Sequence, residues 1–380
     1  MHKRLLGMLL AVLLTAALCL PARAVELELS APSAILMEKS TGEILYEQNS
    51  HEKLPPASVT KVMTLLLVME ALADGRIGWD DTVTTSAAAA AKGGSQIYLE
   101  ENEQLPLTEM LKAVVVASAN DCACALAEHI AGSESAFAAM MNARAEALGM
   151  TDTHFVNCTG LDDGADASEH RTTAYDIALM SRELLRHEEI KQYTTIWMDT
   201  VRNGQFGLAN TNKLVRFYDG TTGLKPGFTA AAGYCLAASA ERGGMELIAV
   251  VMHCDTSAHR FEAAKAMLNG FSSYALAQPP ADVQIPSVPV VLGHEEAVTP
   301  VLREAKPVLI DKSLAAQLSS EVSVDPAVTA PVEKWQRLGT LTMRAGDGVI
   351  AELPLVAPEA VARLTWWDVF RRLLRGVCMG

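Results

Sequence analysis

The tetrad Ser58-Val59-Thr60-Lys61 places a hydroxyl and an amine at a spacing that suits nucleophilic catalysis without histidine. Because Pro55-Pro56 comes just before it, we expect a helix to begin there, with Ser58 in its first turn and Lys61 on the same face. The N–H groups of a helix N-terminus also favour negative charge on a reacting group. By itself the tetrad is weak evidence, since an N-capping serine followed by a surface lysine has the same pattern.

Two further motifs follow the tetrad along the chain. Ser118-Ala119-Asn120 comes after an apolar run, and Lys225-Pro226-Gly227-Phe228-Thr229 comes before a segment that suits a strand. The order S-x-x-K, S-D-N and K-T-G is typical of penicillin-binding proteins and serine β-lactamases. Here the second motif has the S-x-N form. The third departs from the pattern, because Pro226 stands where that family has threonine or serine.

Residues 25–278 resemble the serine D-alanyl-D-alanine carboxypeptidases, which are low-molecular-weight penicillin-binding proteins. The other segments that carry the resemblance, in order, are Ala34-Ile35-Leu36-Met37 with Thr41-Gly42, Ser118-Ala119-Asn120-Asp121, Leu148-Gly149-Met150-Thr151-Asp152-Thr153-His154-Phe155, Gly160-Leu161-Asp162-Asp163 and Asn210-Thr211-Asn212-Lys213-Leu214. The resemblance implies an α/β (α+β) domain of the β-lactamase/transpeptidase type. In that fold helices flank an antiparallel sheet, and a largely helical insertion carries the second motif.

The resemblance also implies an activity. This is hydrolysis of the terminal D-Ala-D-Ala bond of peptidoglycan stem peptides through a Ser58 acyl-enzyme, with β-lactam antibiotics such as penicillins as covalent inhibitors. Lys61 can act as the base only when it is neutral, so its pKa must be lowered by burial and by nearby positive charge, for which Lys225 is the expected source. Ser118 is expected to relay a proton toward the leaving D-alanine.

Substrate binding is expected from the remaining motif residues. The oxyanion hole implied by the resemblance uses the N–H groups of Ser58 and Phe228. Asn120 is expected to orient Lys61 and the substrate amide, and an arginine at the place of Arg260 helps to hold a carboxylate in such enzymes. The predicted substrate-binding residues are Asn120, Lys225, Gly227, Phe228, Thr229 and Arg260.

Three alternative functions remain open on the sequence. A class A-type β-lactamase needs a glutamate followed four residues later by asparagine, but Thr173 stands four residues after Glu169, the nearest candidate. A catalytically impaired scaffold that binds penicillin or peptidoglycan would account for the altered third motif. A D,D-endopeptidase would use the same residues on cross-linked peptides.

The two ends of the chain predict export and attachment to a membrane. Residues 1–24 have the basic start, apolar core and Ala-x-Ala end of a secretory signal peptide. A helix placed from Ala362, within the anchor segment 361–380, gathers an aromatic and apolar face opposite a basic one, which is typical of a helix lying in a membrane interface. We therefore expect an extracytoplasmic protein attached to the outer face of the bacterial cytoplasmic membrane.

The residues of the two predicted helix faces can be given separately. The apolar face comprises Trp366, Trp367, Val369, Phe370, Leu373, Leu374 and Val377, and the polar face comprises Asp368, Arg371, Arg372 and Arg375.

Composition limits the other possibilities. A formal charge of −14 argues against a nucleic-acid partner. The nine histidines show no metal-binding motif, so we expect neither a metal nor a cofactor. Six cysteines follow the predicted signal peptide, and we expect buried thiols, with one disulfide left open.

Hydrophobic periodicity gives the secondary structure. Residues 62–72 and 108–130 suit helices, and a last helix is predicted over Arg260 to Ser273. Leu236 to Ala240 and Leu247 to Met252 suit a hairpin. Residues 279–356, after Pro279-Pro280, are predicted to form a small β-rich domain, because short β-rich runs there are separated by proline and glycine.

Overall fold

The computed structural model describes residues 27–162 and 166–371 of the chain. It divides into two compact units, one over residues 24–272 and one that contains the chain from residue 273 onward. The predicted signal peptide and the last nine residues lie outside the described residues.

The first unit contains a five-stranded antiparallel sheet and the helices that flank it. Its strands are β1 (Ser33–Glu38), β2 (Ile44–Gln48), β3 (Thr82–Thr84), β4 (Gln104–Pro106), β5 (Met198–Val201), β6 (Phe206–Ala209), β7 (Thr221–Thr229), β8 (Gly233–Arg242) and β9 (Met245–Cys254). Its α-helices are α1 (Lys61–Ala73), α2 (Ala87–Ala90), α3 (Leu107–Ala117), α4 (Asn120–Ala131), α5 (Glu134–Ala147), α6 (Ala174–Leu184), α7 (Lys191–Thr194), α8 (Leu214–Phe217) and α9 (Ser257–Leu268).

The five-stranded sheet has the order β2-β1-β9-β8-β7. Strands β8 and β9 form the predicted hairpin, and the turn between them uses Gly243 and Gly244, both with positive φ. These two central strands are buried along almost their whole length, because α9 packs on both of them and α6 packs against β9. Covering by helices therefore explains why their sequences read as continuous apolar runs without alternation.

The helices differ from the predicted ranges mainly at their ends. Helix α1 matches its predicted range to within a residue, and it is buried around nearly its whole circumference. The predicted helix over 108–130 is interrupted, because Ser118 takes a left-handed conformation with φ +64° and separates α3 from α4. The predicted Arg260–Ser273 helix begins earlier, after Thr256, whose hydroxyl accepts the N–H of His259 at 3.1 Å.

The second unit is β-rich, as predicted. Its strands are β10 (Tyr274–Ala277), β11 (Val288–Val291), β12 (Ala297–Val298), β13 (Val301–Leu302), β14 (Val308–Asp311), β15 (Leu318–Val324), β16 (Val328–Thr329), β17 (Arg337–Ala345) and β18 (Gly348–Val356). Strands β13, β18, β17 and β15 form its four-stranded sheet. A small core around Val288, Val332 and Leu338 supports the unit.

The predicted start of the C-terminal helix at Ala362 is wrong. Val361 and Arg363 form β-bridges to Val332 and Gly293, and helical structure begins only at residue 366.

Thr365 caps the C-terminal helix. Its hydroxyl accepts the N–H of Asp368 at 3.3 Å, and the Asp368 carboxylate accepts the N–H of Thr365 at 3.0 Å. This reciprocal capping box defines a helix N-terminus. Within residues 27–162 and 166–371, no helix is both long enough and apolar enough to span a membrane.

Candidate active site

The Ser58 hydroxyl and the Lys61 amine lie next to each other at the start of α1. Ser58 belongs to a short 3-10 turn, Ala57–Thr60, and the α-helix proper begins at Lys61. The Nζ atom of Lys61 lies 3.1 Å from Oγ of Ser58 and donates to the carbonyl of Thr159 at 2.8 Å. Lys61 is fully buried. The predicted nucleophile and base are therefore within hydrogen-bonding distance before any ligand binds.

Burial controls the protonation state of Lys61. It lowers the pKa of this amine to about 7, although electrostatic interactions with Cys158 and Asp121 act in the opposite direction. Burial is the main cause of the low Lys61 pKa, and the expected repulsion from the charge of Lys225 is a smaller effect. Burial holds the pKa of Lys225 itself well below its usual range, and the charges of Lys61 and Arg260 lower it further. Desolvation of both amines is sufficient to keep a base available near neutral pH.

The second motif contributes polar atoms that have no partner. The Oγ atom of Ser118 and the Oδ1 atom of Asn120 are buried, and neither has a hydrogen-bond partner in the described structure. The Nδ2 atom of Asn120 donates to the carbonyl of Gly93 at 2.7 Å. Buried polar atoms without partners cost free energy, so these two are suited to receive a ligand.

The described structure has no hydrogen bond between Asn120 and Lys61, the residue that Asn120 was expected to orient. In the described part of the chain the amine of Lys61 bonds to Ser58 and Thr159 instead. Thr159 was missed in the sequence analysis because it contributes a backbone carbonyl, which any residue type could supply. Only the neighbouring Gly160, within a segment shared with the family, gave a signal near that position.

Strand β7 brings the third motif beside the Ser58 turn. Among the residues that the structure describes it is an edge strand that pairs only with β8, with Pro226 opposite Leu236. Proline has no N–H, so it is tolerated where that group would point away from the neighbouring strand. Phe228, two residues later, has its N–H directed to the same open edge. The structure is thus consistent with an oxyanion donor at Phe228.

Gly227 marks the closest approach between β7 and the Ser58 turn. A Cβ atom at this position would lie 2.8 Å from the carbonyl oxygen of Pro56 and 2.9 Å from the backbone nitrogen of Ser58. Real Cβ atoms do not come so close to backbone atoms. The glycine of the third motif is therefore required by packing against the turn.

The other residues of the third motif differ in exposure. Lys225 is buried, and its amine donates to the carbonyl of Pro226 at 3.3 Å. Phe228 is 53% exposed, and its ring centroid lies 4.3 Å from that of Tyr234. The hydroxyl of Thr229 accepts the N–H of Ala232 at 3.1 Å, so this side chain also supports the turn after β7.

Arg260 lies behind the third motif. Its guanidinium donates to the carbonyls of Gly227 at 2.8 Å and Cys235 at 3.3 Å, and it lies 5.3 Å from the Tyr234 ring centroid. Its Nε atom is buried without a partner. These contacts hold β7 and β8 in place, a role that the sequence analysis did not foresee.

Asp121 is a further residue that the sequence analysis did not assign to the site. Its carboxylate accepts the N–H groups of Ile97 and Leu99, at 3.1 Å and 3.0 Å. Together with the Asn120 contact to Gly93, this fixes residues 93–99 against the start of α4. The signal was present, because Asp121 directly follows the second motif.

Two remaining sequence expectations concern cysteines and the β-lactamase alternative. Cys122, Cys124, Cys158, Cys235 and Cys254 are all buried free thiols, and Cys378 lies outside the described residues. Glu169, the nearest candidate for a deacylating glutamate, is exposed at the end of a short 3-10 turn.

Comparison with known families gives matches over both units. The family model described as D-alanyl-D-alanine carboxypeptidase matches residues 21–256. The model described as the C-terminal domain of penicillin-binding protein 5 matches residues 280–363. The chain is 40% identical over 359 residues to D-alanyl-D-alanine carboxypeptidase DacF of Bacillus subtilis, covering 93% of this chain and 91% of that protein.

Solved structures show the same relationship. Penicillin-binding protein 5 from Haemophilus influenzae superposes with a TM-score of 0.79 at 28% identity, covering 89% of this chain and 99% of that one. Penicillin-binding protein D2 from Listeria monocytogenes, in its ampicillin-bound form, superposes with a TM-score of 0.59 at 33% identity. That match covers 64% of this chain and 98% of the other.

Proposed function

Since the chain belongs to the D-alanyl-D-alanine carboxypeptidase family, we propose that Ser58 is the nucleophile and Lys61 the base of its reaction. The enzyme is a penicillin-binding serine carboxypeptidase that acts on D-Ala-D-Ala peptides. The observation that carries the residue assignment is the 3.1 Å separation of Lys61 Nζ and Ser58 Oγ, combined with a Lys61 pKa lowered by burial to about 7. A neutral amine at that distance can accept the hydroxyl proton.

The reaction then proceeds through an acyl-enzyme. Ser58 Oγ attacks the carbonyl carbon of the penultimate D-alanine while Lys61 takes the proton. The N–H groups of Ser58 and Phe228 stabilise the oxyanion. The terminal D-alanine leaves with a proton relayed through Ser118, whose hydroxyl has no hydrogen-bond partner among the described residues. Water hydrolyses the ester, whereas the opened ring of a β-lactam remains attached to Ser58.

Recognition of the substrate falls to the second and third motifs. The unpartnered Oδ1 of Asn120 accepts the amide N–H of the substrate. Lys225 and Thr229 bind the terminal carboxylate, and Arg260 supports them through its bond to Gly227. An arriving carboxylate raises the pKa of Lys225, because it supplies the opposite charge that this buried amine lacks.

Labelling with a fluorescent penicillin tests the assignment of the nucleophile. Ser58→Ala should abolish the covalent adduct and the release of D-alanine from a soluble pentapeptide. Ser135→Ala, at an exposed serine of α5, is the matched control and should behave as wild type. Mass mapping should locate the wild-type adduct on the peptide that contains Ser58. Labelling of folded Ser58→Ala protein would refute the mechanism.

The location of the enzyme is the second part of the proposal. Residues 1–24 act as a signal peptide, and residues 361–380 attach the exported enzyme to the outer face of the cytoplasmic membrane. In support, Trp366 and Trp367 are 68% and 62% exposed, and their ring centroids lie 4.8 Å apart. Phe370 stacks on Trp366 at 5.3 Å. Exposed tryptophans next to basic residues favour the interface of a lipid bilayer.

A truncation that keeps the β-bridges of the second unit tests the attachment. Ending the chain after Leu364 keeps the β-bridges of Val361 and Arg363 but removes the aromatic cluster. The shortened protein should no longer sediment with anionic lipid vesicles, yet it should release D-alanine at the wild-type rate. Continued sedimentation of the truncated protein would contradict membrane attachment through this segment.

A further inference from the structure

Three consecutive hydrogen bonds hold the turn that carries Ser58, and none of them belongs to the reaction described above. The N–H of Val156 donates to Nδ1 of His170 at 3.2 Å. The Nε2 atom of His170 lies 2.8 Å from Oγ1 of Thr60. The Thr60 hydroxyl in turn donates to the carbonyl of Ala57 at 2.8 Å. His170 and Thr60 are both buried.

The donors and acceptors in this chain of bonds fix the form of the imidazole. Because Nδ1 of His170 accepts a backbone N–H, the ring proton must be on Nε2. The single proton of the Thr60 hydroxyl is engaged with Ala57, so Thr60 accepts the proton of His170. Burial lowers the pKa of His170 to about 4, with smaller contributions from His154 and Arg171. The imidazole is therefore neutral near neutral pH.

The Ser58 turn needs such support because its backbone is strained. Ala57 has φ +49°, a left-handed conformation that residues other than glycine adopt rarely and at a cost. Its carbonyl lies against Gly160, where an added Cβ atom would come within 1.8 Å of the oxygen. The Thr60 hydroxyl is the group that bonds this carbonyl within the turn.

His170 also connects the two segments that determine the geometry of nucleophile and base. Thr60, its first partner, directly precedes Lys61. Val156, its second partner, lies three residues before Thr159, whose carbonyl accepts the Lys61 amine at 2.8 Å. A displacement of one segment relative to the other would change the direction in which Nζ of Lys61 points at Ser58.

We infer that neutral His170, protonated on Nε2, is a positioning residue for acylation that holds the Ser58 turn against the segment carrying the Thr159 carbonyl. The inference rests on the proposed roles of Ser58 and Lys61. His170 acts through Thr60, so its loss should lower the rate of acylation and leave the binding of substrate unchanged. Misplacement of a catalytic group by about 1 Å can cost on the order of a hundredfold in rate.

Paired substitutions separate the two hydrogen bonds of His170. In His170→Asn the shorter amide can accept the N–H of Val156 but cannot reach Thr60. In His170→Gln the longer amide can donate to Thr60. Thr60→Val removes the hydroxyl while keeping the shape of the side chain, and Thr60→Ser keeps the hydroxyl. The measurements are the acylation rate constant with a fluorescent penicillin, kcat and KM on a soluble D-Ala-D-Ala peptide, and the melting temperature.

The expected pattern is specific to positioning. His170→Asn and Thr60→Val should each lower kcat and the acylation rate about tenfold to a hundredfold with KM little changed. His170→Gln and Thr60→Ser should recover most of the loss. The double variant His170→Asn/Thr60→Val should be no slower than either single variant, because both remove the same contact.

Two results would overturn the inference. Folded His170→Asn and Thr60→Val proteins that acylate within twofold of wild type, even with a lower melting temperature, would make the contact purely structural. Additive losses in the double variant would show that the two residues act separately. Failure of the wild-type protein to form an adduct or release D-alanine would instead overturn the proposed function, and the inference with it.

Discussion

The Ser58 turn and strand β7 meet at Gly227, but they are held in different ways. Distant segments of the chain pack around the turn. The residues that contact it or Lys61 include Thr159, Gly160 and His170, which lie about a hundred positions away in the sequence. In the described part of the chain, strand β7 is an edge strand that pairs with β8 alone, and it tolerates a proline in its middle.

This difference indicates where substitutions can be accepted. Side chains at the Ser58 turn are buried and engaged on several sides, so a change there displaces a reacting group. The backbone of β7 has an unpaired edge among the described residues, so we expect a change at the buried Pro226 to alter substrate recognition more than structure. We therefore expect large losses at the turn and moderate effects, including gains, at the edge.

The largest effect is expected at Lys61. Lys61→Met should lower acylation by about 10²–10⁴-fold, because a general base of this kind contributes that much. The free energy of unfolding should change little, since an apolar side chain of similar length replaces a desolvated amine. Labelling with a fluorescent penicillin measures the acylation rate, and thermal unfolding measures the stability.

Lys53→Met provides the matched control for that variant, because the Lys53 amine is largely exposed in a salt bridge to Asp152. It should retain the wild-type rate. A folded Lys61→Met protein that is acylated at the wild-type rate would contradict the expectation that substitutions at the Ser58 turn cause larger losses than those at the edge of β7.

A second prediction concerns the contact between the two regions. Gly227→Ala should lower acylation by about a hundredfold, because the new Cβ must move β7 away from Pro56 and Ser58. Gly207→Ala, on β6, is the control, since an added Cβ there meets no atom within 4 Å. Equal rates for the two variants would mean that the spacing between turn and strand is not critical.

The third prediction addresses the open edge itself. Pro226→Thr restores the hydroxyl of the usual K-T-G motif and should raise kcat/KM on D-Ala-D-Ala peptides, with a smaller rise for penicillin. The restored hydroxyl can donate to the terminal carboxylate of the substrate. A hydrogen bond to such a charged group contributes about 1.5–3 kcal/mol, which corresponds to roughly a ten- to hundredfold gain in kcat/KM.

Pro226→Val separates the two changes made by that substitution. It restores the backbone N–H and the shape of threonine without the hydroxyl, so it should give little gain. Unchanged or lower activity in Pro226→Thr would indicate that Pro226 is suited to another acceptor or to a role without catalysis.

The smallest effect is expected from pH. Burial lowers the pKa of Lys61 to about 7, and only the neutral amine can accept the proton of Ser58. Acylation should therefore rise as the pH increases through about 7, by about tenfold between pH 6 and pH 8, and then level off. Stopped-flow rates with a chromogenic β-lactam measure this profile. A rate that is constant over this interval would exclude Lys61 as the titrating base.

The sequence predicted those parts of the site that are local along the chain. The three-residue spacing of Ser58 and Lys61 places their side chains together because the helical turn repeats at that interval. The apolar runs of β8 and β9 identified the central hairpin. The expected helix over 108–130 was interrupted at Ser118, since no pattern in that apolar stretch signals a left-handed residue.

Other features could not be predicted because they depend on backbone atoms and on burial. The acceptor for Lys61 is a carbonyl 98 positions away, and carbonyls are the same in every residue type. The sequence indicated that the pKa of Lys61 must be lowered by burial and by a nearby positive charge, with Lys225 as its expected source, but it could not show which effect is larger. Desolvation is the larger effect, and it exists only once the helices have closed around the amine.

The amino-acid sequence by itself determined the family, the order of the motifs and the identity of the nucleophile and base proposed above, because these depend on residue types and short spacings. The tertiary structure alone decided what surrounds them: His170 against Thr60, Gly160 against Ala57, and Pro226 at an edge where its missing N–H does no harm. The physical reason is that a pKa, a close backbone contact and an open strand edge arise from distant segments meeting in space, which no local pattern encodes.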